Sequence, residues 1–94
     1  MSISILDVLK DFDCKKDNWY PYSIETPIGT MFINYRNEML FTNFIGNEDK
    51  AKLALGHWKN NIVAKTENEI RFFIEGLLHS INLYKNKLKN GKFK

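Results

Sequence analysis

Three alternating runs between Tyr20 and Ile45, separated by two short turns, constrain this chain more than any other feature. Tyr20, Tyr22 and Ile24 alternate with Pro21, Ser23 and Glu25; Met31, Ile33 and Tyr35 alternate with Phe32, Asn34 and Arg36. A third run sets Leu40, Thr42 and Phe44 against Phe41, Asn43 and Ile45. Period-two alternation is the signature of a strand with one face buried. Thr26-Pro27-Ile28-Gly29 supplies a fixed φ and a closing glycine for the first turn, and Asn37-Glu38 makes a tight hairpin. With Glu25 opposite Thr30 and Arg36 opposite Met39, every residue from Tyr20 to Phe44 in the first half of each alternation falls on one face. Two turns read independently agree, so the runs predict a three-stranded antiparallel meander with that face inward.

Helical periods flank the meander. Ile5, Leu6, Leu9 and Phe12 form one face of a short helix over Ser4 to Phe12, with Ser4 and Asp7 at capping-box spacing. The polar stretch from Asp13 to Asn18 reads as a loop. Asn47 is a good N-cap with Glu48 and Asp49 behind it, and Ala51, Leu55, Trp58 and Ile62 continue at helical spacing. Thr66-Glu67-Asn68-Glu69 is a full capping box, followed by Ile70, Phe73, Ile74, Leu77, Ile81, Tyr84 and Leu88 at a 3.6-residue period, with Asn90-Gly91 as the stop. The expected class is α+β: a helix, a three-stranded antiparallel meander and two C-terminal helices packed on the sheet. One domain over residues 1–84 accounts for the pattern, with residues 85–94 as the basic end of the last helix and its tail.

Composition narrows the function classes. Net charge is +3, yet all eleven acidic residues lie between Asp7 and Glu75 while the last ten residues hold five lysines. Without those ten the balance is −2, so a slightly acidic body carries a basic end. No apolar run approaches the roughly 20 residues that span a bilayer, and no basic, unbroken apolar leader opens the chain. With a single cysteine, Cys14, a disulfide framework is excluded and a reduced, cytoplasmic setting is expected. Twelve lysines against two arginines, with eleven asparagines and ten isoleucines, point to an AT-rich coding genome, most simply that of a low-GC bacterium or its phages.

The residue types that chemistry needs are sparse. No glycine-rich phosphate loop, Cys-x-x-Cys pair or HExxH motif is present, and His57, His79 and Cys14 are too scattered to suggest a metal site. We therefore expect no catalysis, no cofactor and no metal. Two surfaces remain as binding candidates. The register puts Trp19, Phe32, Arg36, Met39, Phe41 and Ile45 on the side opposite the core stripe, with Phe32 and Phe41 diagonal across adjacent strands. If both C-terminal helices pack on the other side, these residues form an apolar partner-binding patch; if one helix covers them, they are core. The alternative surface is basic: Lys50 and Lys52 of the middle helix with Lys85, Lys87, Lys89, Lys92 and Lys94 of the tail would meet phosphates in a salt-dependent way.

Two resemblances extend this reading. Residues up to Asn61 resemble a double-stranded-RNA-binding domain in element order, and Asp49-Lys50-Ala51-Lys52-Leu53-Ala54 is similar to the lysine-rich opening of that family's second helix. The resemblance implies RNA phosphates on Lys50 and Lys52; the lysine spacing differs, the family's His is missing, and Glu48 and Asp49 put acid where phosphate would sit. The whole layout resembles small phage-encoded anti-CRISPR proteins that inhibit the Cas nuclease, through size and element order and without a shared motif. That resemblance implies a catalysis-free phage or mobile-element protein that sterically occupies a host protein or protein–nucleic-acid complex in the bacterial cytoplasm. The leading expectation is thus a protein-binding inhibitor, followed by a nucleic-acid-binding domain and by a self-associating accessory protein that forms a homodimer.

Overall fold

The computed structural model describes residues 5–16 and 20–89, with side chains through Lys87. Ser4, Trp19, Asn90, Gly91, Lys92 and Lys94 lie outside the described residues, and so do the first capping box, the Asn90-Gly91 stop and three of the candidate contacts that rest on them. The side chain of Lys89 is likewise not described. The elements run α1 (Ile5–Leu9), a 3-10 turn (Lys10–Phe12), β1 (Tyr22–Thr26), β2 (Gly29–Arg36), β3 (Met39–Asn43), α2 (Glu48–Leu55), β4 (Asn61–Val63) and α3 (Glu67–Lys89).

The class is α+β, with four antiparallel strands in the order β1-β2-β3-β4 rather than the expected three. Both anticipated registers are present: Glu25 faces Thr30 and Arg36 faces Met39. Asn37 and Glu38 take φ of 54° and 63°, the two positive values of the hairpin turn whose twist matches its strands. Gly29 holds φ 127°, and a Cβ there would fall 2.4 Å from Asn47 Nδ2, so only glycine suits this end of the first turn.

Ile24, Met31, Ile33, Leu40, Thr42 and Phe44 are buried on the inner face as expected, and Tyr22 and Tyr35 are half-buried beside them. Val8 and Leu9 of α1, Ala51 of α2, and Ile70, Ile74, Leu77 and Ile81 of α3 join the same core. The helices thus supply their apolar stripes to one side of the sheet, the arrangement that an α+β layer pair requires. α3 begins at its capping box, where Glu69 N donates to Thr66 Oγ1 at 3.1 Å and Thr66 N donates back to Glu69 Oε1 at 3.1 Å. Arg71 ties α3 to the N-terminal turn, with Nη1 2.8 Å from Asp11 Oδ2 and its guanidinium 6.0 Å from the Phe12 ring centre.

The middle helix is half its expected length. α2 stops at Leu55 because Gly56 adopts φ 67°, and Trp58 and Ile62 leave the helical path. Ile62 instead pairs with Leu40 in β4, which still directs it to the inner face. A single inward residue satisfies helical and strand spacing equally well, so the two readings part only at Gly56. Asn47 does precede α2, but its side chain makes no capping hydrogen bond and lies against Gly29.

Candidate functional site

The outer face of the sheet is separate from the core. Phe32, Met39 and Phe41 are half-buried and belong neither to the core nor to the partly buried side chains packed on it. Phe32 faces Asn43 while Asn34 faces Phe41, so the two phenylalanines lie diagonally across β2 and β3. Met39 faces both Arg36 on β2 and Val63 on β4; Arg36 is exposed and Val63 is 57% exposed. The face therefore brings together four of the six residues expected there; Trp19 lies outside the described residues, and Ile45, 51% exposed, falls in the turn after β3.

Tyr20 is a correction to the expected register. It precedes β1, whose first residue is Tyr22, and is released from the alternation that would have turned it inward. Its ring lies 5.7 Å from that of Phe32 at 38°, and its hydroxyl accepts from Asn43 Nδ2 at 3.5 Å. Tyr20 thus crosses β2 at Phe32 to reach Asn43 at the end of β3, adding a third aromatic ring with a polar tip to the outer face.

β4 creates a second concavity that the linear pattern did not disclose. A groove of 720 Å³ runs between β4 and α3, lined chiefly by Leu55, Trp58, Ile62, Val63, Phe72 and Phe73. Phe72 is 80% exposed, a large apolar ring off the buried stripe of α3. Its place two residues after Ile70 and one before Phe73 was the available signal, since that position points away from a helical stripe centred on Ile70, Ile74 and Leu77. Trp58 packs edge-on to Phe44 at 5.8 Å, and its indole N–H is buried with no hydrogen-bond partner, as is the Thr42 hydroxyl.

The candidate lysines with described side chains stand on α2 and α3. Lys50, Lys52, Lys85 and Lys87 are all exposed. Leu53 and Ala54 of α2 line a shallow concavity with Leu83, Tyr84 and Lys87 of α3, whereas Leu55 lines the β4 groove with Phe72, Phe73 and Leu77. Lys50, one turn before Leu53 and Ala54, shares their side of α2. Lys52 is two residues on, across the helix, beside Gly56, His57 and Trp58.

Reactive groups are few among the described residues. Burial pushes the Cys14 thiol above its usual pKa, with Asp13 adding to the rise against a backbone hydrogen bond, so the thiolate is disfavoured. Burial likewise raises the Tyr35 phenol, aided by Glu38 and Glu69; its hydroxyl donates to the Ala64 carbonyl at 2.5 Å. His57 and His79 are exposed, and no group of three or more His, Cys, Asp or Glu side chains among the described residues is placed to hold a metal ion. No helix among these residues is long and apolar enough to cross a membrane. No protein-family model, curated protein or solved structure matches the chain.

Proposed function

We propose that this chain is a small non-catalytic binding protein that acts sterically, covering part of a partner protein with the outer face of its sheet. The observation that carries the reading is the cluster of Tyr20, Phe32, Phe41 and Met39 on a face that contributes nothing to the core. Aromatic rings at the centre with polar and Arg groups around them are the composition of binding hot spots. Here Asn34, Asn43, Asn61 and Arg36 share the face with the apolar cluster. Four strands at about 4.8 Å spacing and the eight residues of β2 give a face of roughly 19 by 26 Å, or about 500 Å². A standard interface covers about 800 Å² per partner, so the face supplies its centre and the surrounding loops its rim.

The resemblance to phage anti-CRISPR proteins, in size and in element order apart from the added β4, suggests the partner class to test first, a protein of a bacterial defence complex. The lysine-based alternative draws less support, because Lys50 and Lys52, two residues apart, project from different sides of α2.

The test compares the wild-type chain with Phe32→Ala plus Phe41→Ala as baits in lysates of low-GC bacteria, followed by calorimetry on each purified partner. The reading expects a partner bound by the wild type and weakened at least about a hundredfold by the double variant, roughly 3 kcal/mol, at unchanged secondary structure. Equal binding by both proteins rejects the outer face. Anisotropy with labelled duplex RNA and DNA at about 50 and 200 mM salt tests the alternative: a steep loss of binding with salt would favour phosphate contacts.

A further inference from the structure

The β4 edge of the sheet carries backbone groups that no strand among the described residues uses. Thr42 N donates to the Asn60 carbonyl at 2.8 Å and Ala64 N to the Glu38 carbonyl at 2.8 Å, so Asn60 and Ala64 turn their backbone toward β3. Antiparallel alternation then turns Ile62 the same way and leaves the N–H and C=O of Asn61 and Val63 pointing off the sheet. Directly beneath this edge lies the 720 Å³ apolar groove, with Ile62 and Phe73 among its lining residues and the 80% exposed Phe72 beside it. Exposed Lys59 and Lys65 bracket β4 at its two ends. Two acids stand near the Lys65 end: Glu69, whose carboxylate accepts from Lys65 N at 3.0 Å and from Thr66 N at 3.1 Å, and Glu38, whose carbonyl accepts from Ala64 N, so the Lys59 end is the less countered of the two.

These features fit one kind of occupant. An added strand satisfies the free edge groups and drops every second side chain toward the groove. A second copy of this chain is a poor match, because pairing β4 with itself about Ile62 sets Lys59 opposite Lys65 at both ends, and like charges directly opposed are destabilising. Acidic residues at those positions reverse the sign. We propose that the β4 edge and its groove take an extended segment of another protein as a fifth strand, with apolar side chains at alternate positions in the groove and acidic side chains facing Lys59 and Lys65. This surface is distinct from the outer-face cluster, and the inference stands without it.

The probe is a fluorescein-labelled peptide, Glu-Ile-Thr-Leu-Thr-Ile-Glu, titrated with the full chain and followed by anisotropy; its sequence reads the same in both directions and so fits either strand polarity. Val63→Pro deletes an edge donor that the sheet does not use and blocks strand addition. Phe72→Ser removes the exposed ring at a position that folding does not need. The proposal expects saturable binding, weakened at least about tenfold by each variant and by exchanging the peptide's Glu for Lys. Phe32→Ala plus Phe41→Ala should leave it unchanged. It is overturned if no saturation is seen by roughly 1 mM peptide, if Phe72→Ser binds as tightly as the wild type at intact circular dichroism, or if the outer-face variant alone abolishes binding. Sedimentation that shows a dimer dissociated by Val63→Pro overturns it in favour of a second copy.

Discussion

The two edges of this sheet are finished differently. At β1, Lys15 forms a two-way bridge to Ser23, with Lys15 N donating at 2.8 Å and Ser23 N at 2.7 Å. Pro21, just before the strand, has no N–H to offer, and Glu25 places a charge on the remaining length. At β4, three residues long, the outward groups of Asn61 and Val63 meet neither bridge nor proline among the described residues, and an apolar groove opens beneath them. An unpaired edge beside exposed apolar side chains is a template for other chains, which proteins ordinarily blunt. One edge of this protein is guarded and the other is not, and that asymmetry separates a boundary of the fold from a surface available for binding.

The largest expected effect tests whether the open edge is also the weakly held one. Ile33 on β2 is fully buried in the core, so Ile33→Ala should cost about 2–5 kcal/mol by urea denaturation. Ile62 on β4 is only half-buried, and Ile62→Ala should cost less than half as much. Equal losses would mean that β4 is as integral to the core as β2. The next effect attacks the guard itself. Lys15→Pro deletes the donor to the Ser23 carbonyl at a buried residue and should cost about 1–2 kcal/mol. If the bridge protects the edge, this variant should also sediment with a concentration-dependent mass that the wild type lacks.

How much of this was legible depends on how many independent signals each element carried. The β1–β3 register followed from two turns and three alternations that had to agree, and the inward set from Ile24 to Phe44 emerged accordingly. α3 announced itself through a capping box whose hydrogen bonds are present. β4 had no comparable signal: three residues hold one inward side chain, and Ile62 sits equally well at helical spacing after Leu55 and Trp58. Only Gly56, with its positive φ, marked the break. Tyr20 was misplaced because alternation was extended across Pro21 to a residue that the strand does not hold. The placement of Phe32, Met39 and Phe41 on the outer face was legible because it follows from register alone. The groove was not, since it exists only where an unforeseen strand meets an off-stripe residue of α3, Phe72.

The tie that holds β4 to the sheet should be visible in its pH dependence. Tyr35 Oη donates to the carbonyl of Ala64, just past the end of β4, so Tyr35→Phe should lose about 1 kcal/mol at neutral pH. Burial, then Glu38 and Glu69, raise the Tyr35 pKa above its ordinary value near 10. The protonated form is thus favoured by folding: the contribution is complete below the unfolded pKa and is lost as pH rises through the folded one. Denaturation from about pH 7 to 11 should show the gap between wild type and variant constant at first and closing above about pH 10. A gap that widens with pH would contradict the assigned donor.

The smallest effect has the opposite sign and separates local opening from global unfolding. Thr42 is fully buried in β3 with its hydroxyl unpaired, and valine keeps the β-branched shape without the polar atom. Thr42→Val should therefore stabilise the fold by up to about 1 kcal/mol. Native-state hydrogen exchange then reads where that stability appears. Amides of β2 and of the α3 core, which open only with the whole molecule, should slow by the full factor, about fivefold for 1 kcal/mol. The edge amides of Asn61 and Val63, which face solvent without a partner strand, should exchange as fast as before. If they slow in step with β2, then β4 opens only when everything does, and the contrast between the two edges lies in their hydrogen bonding and not in their stability.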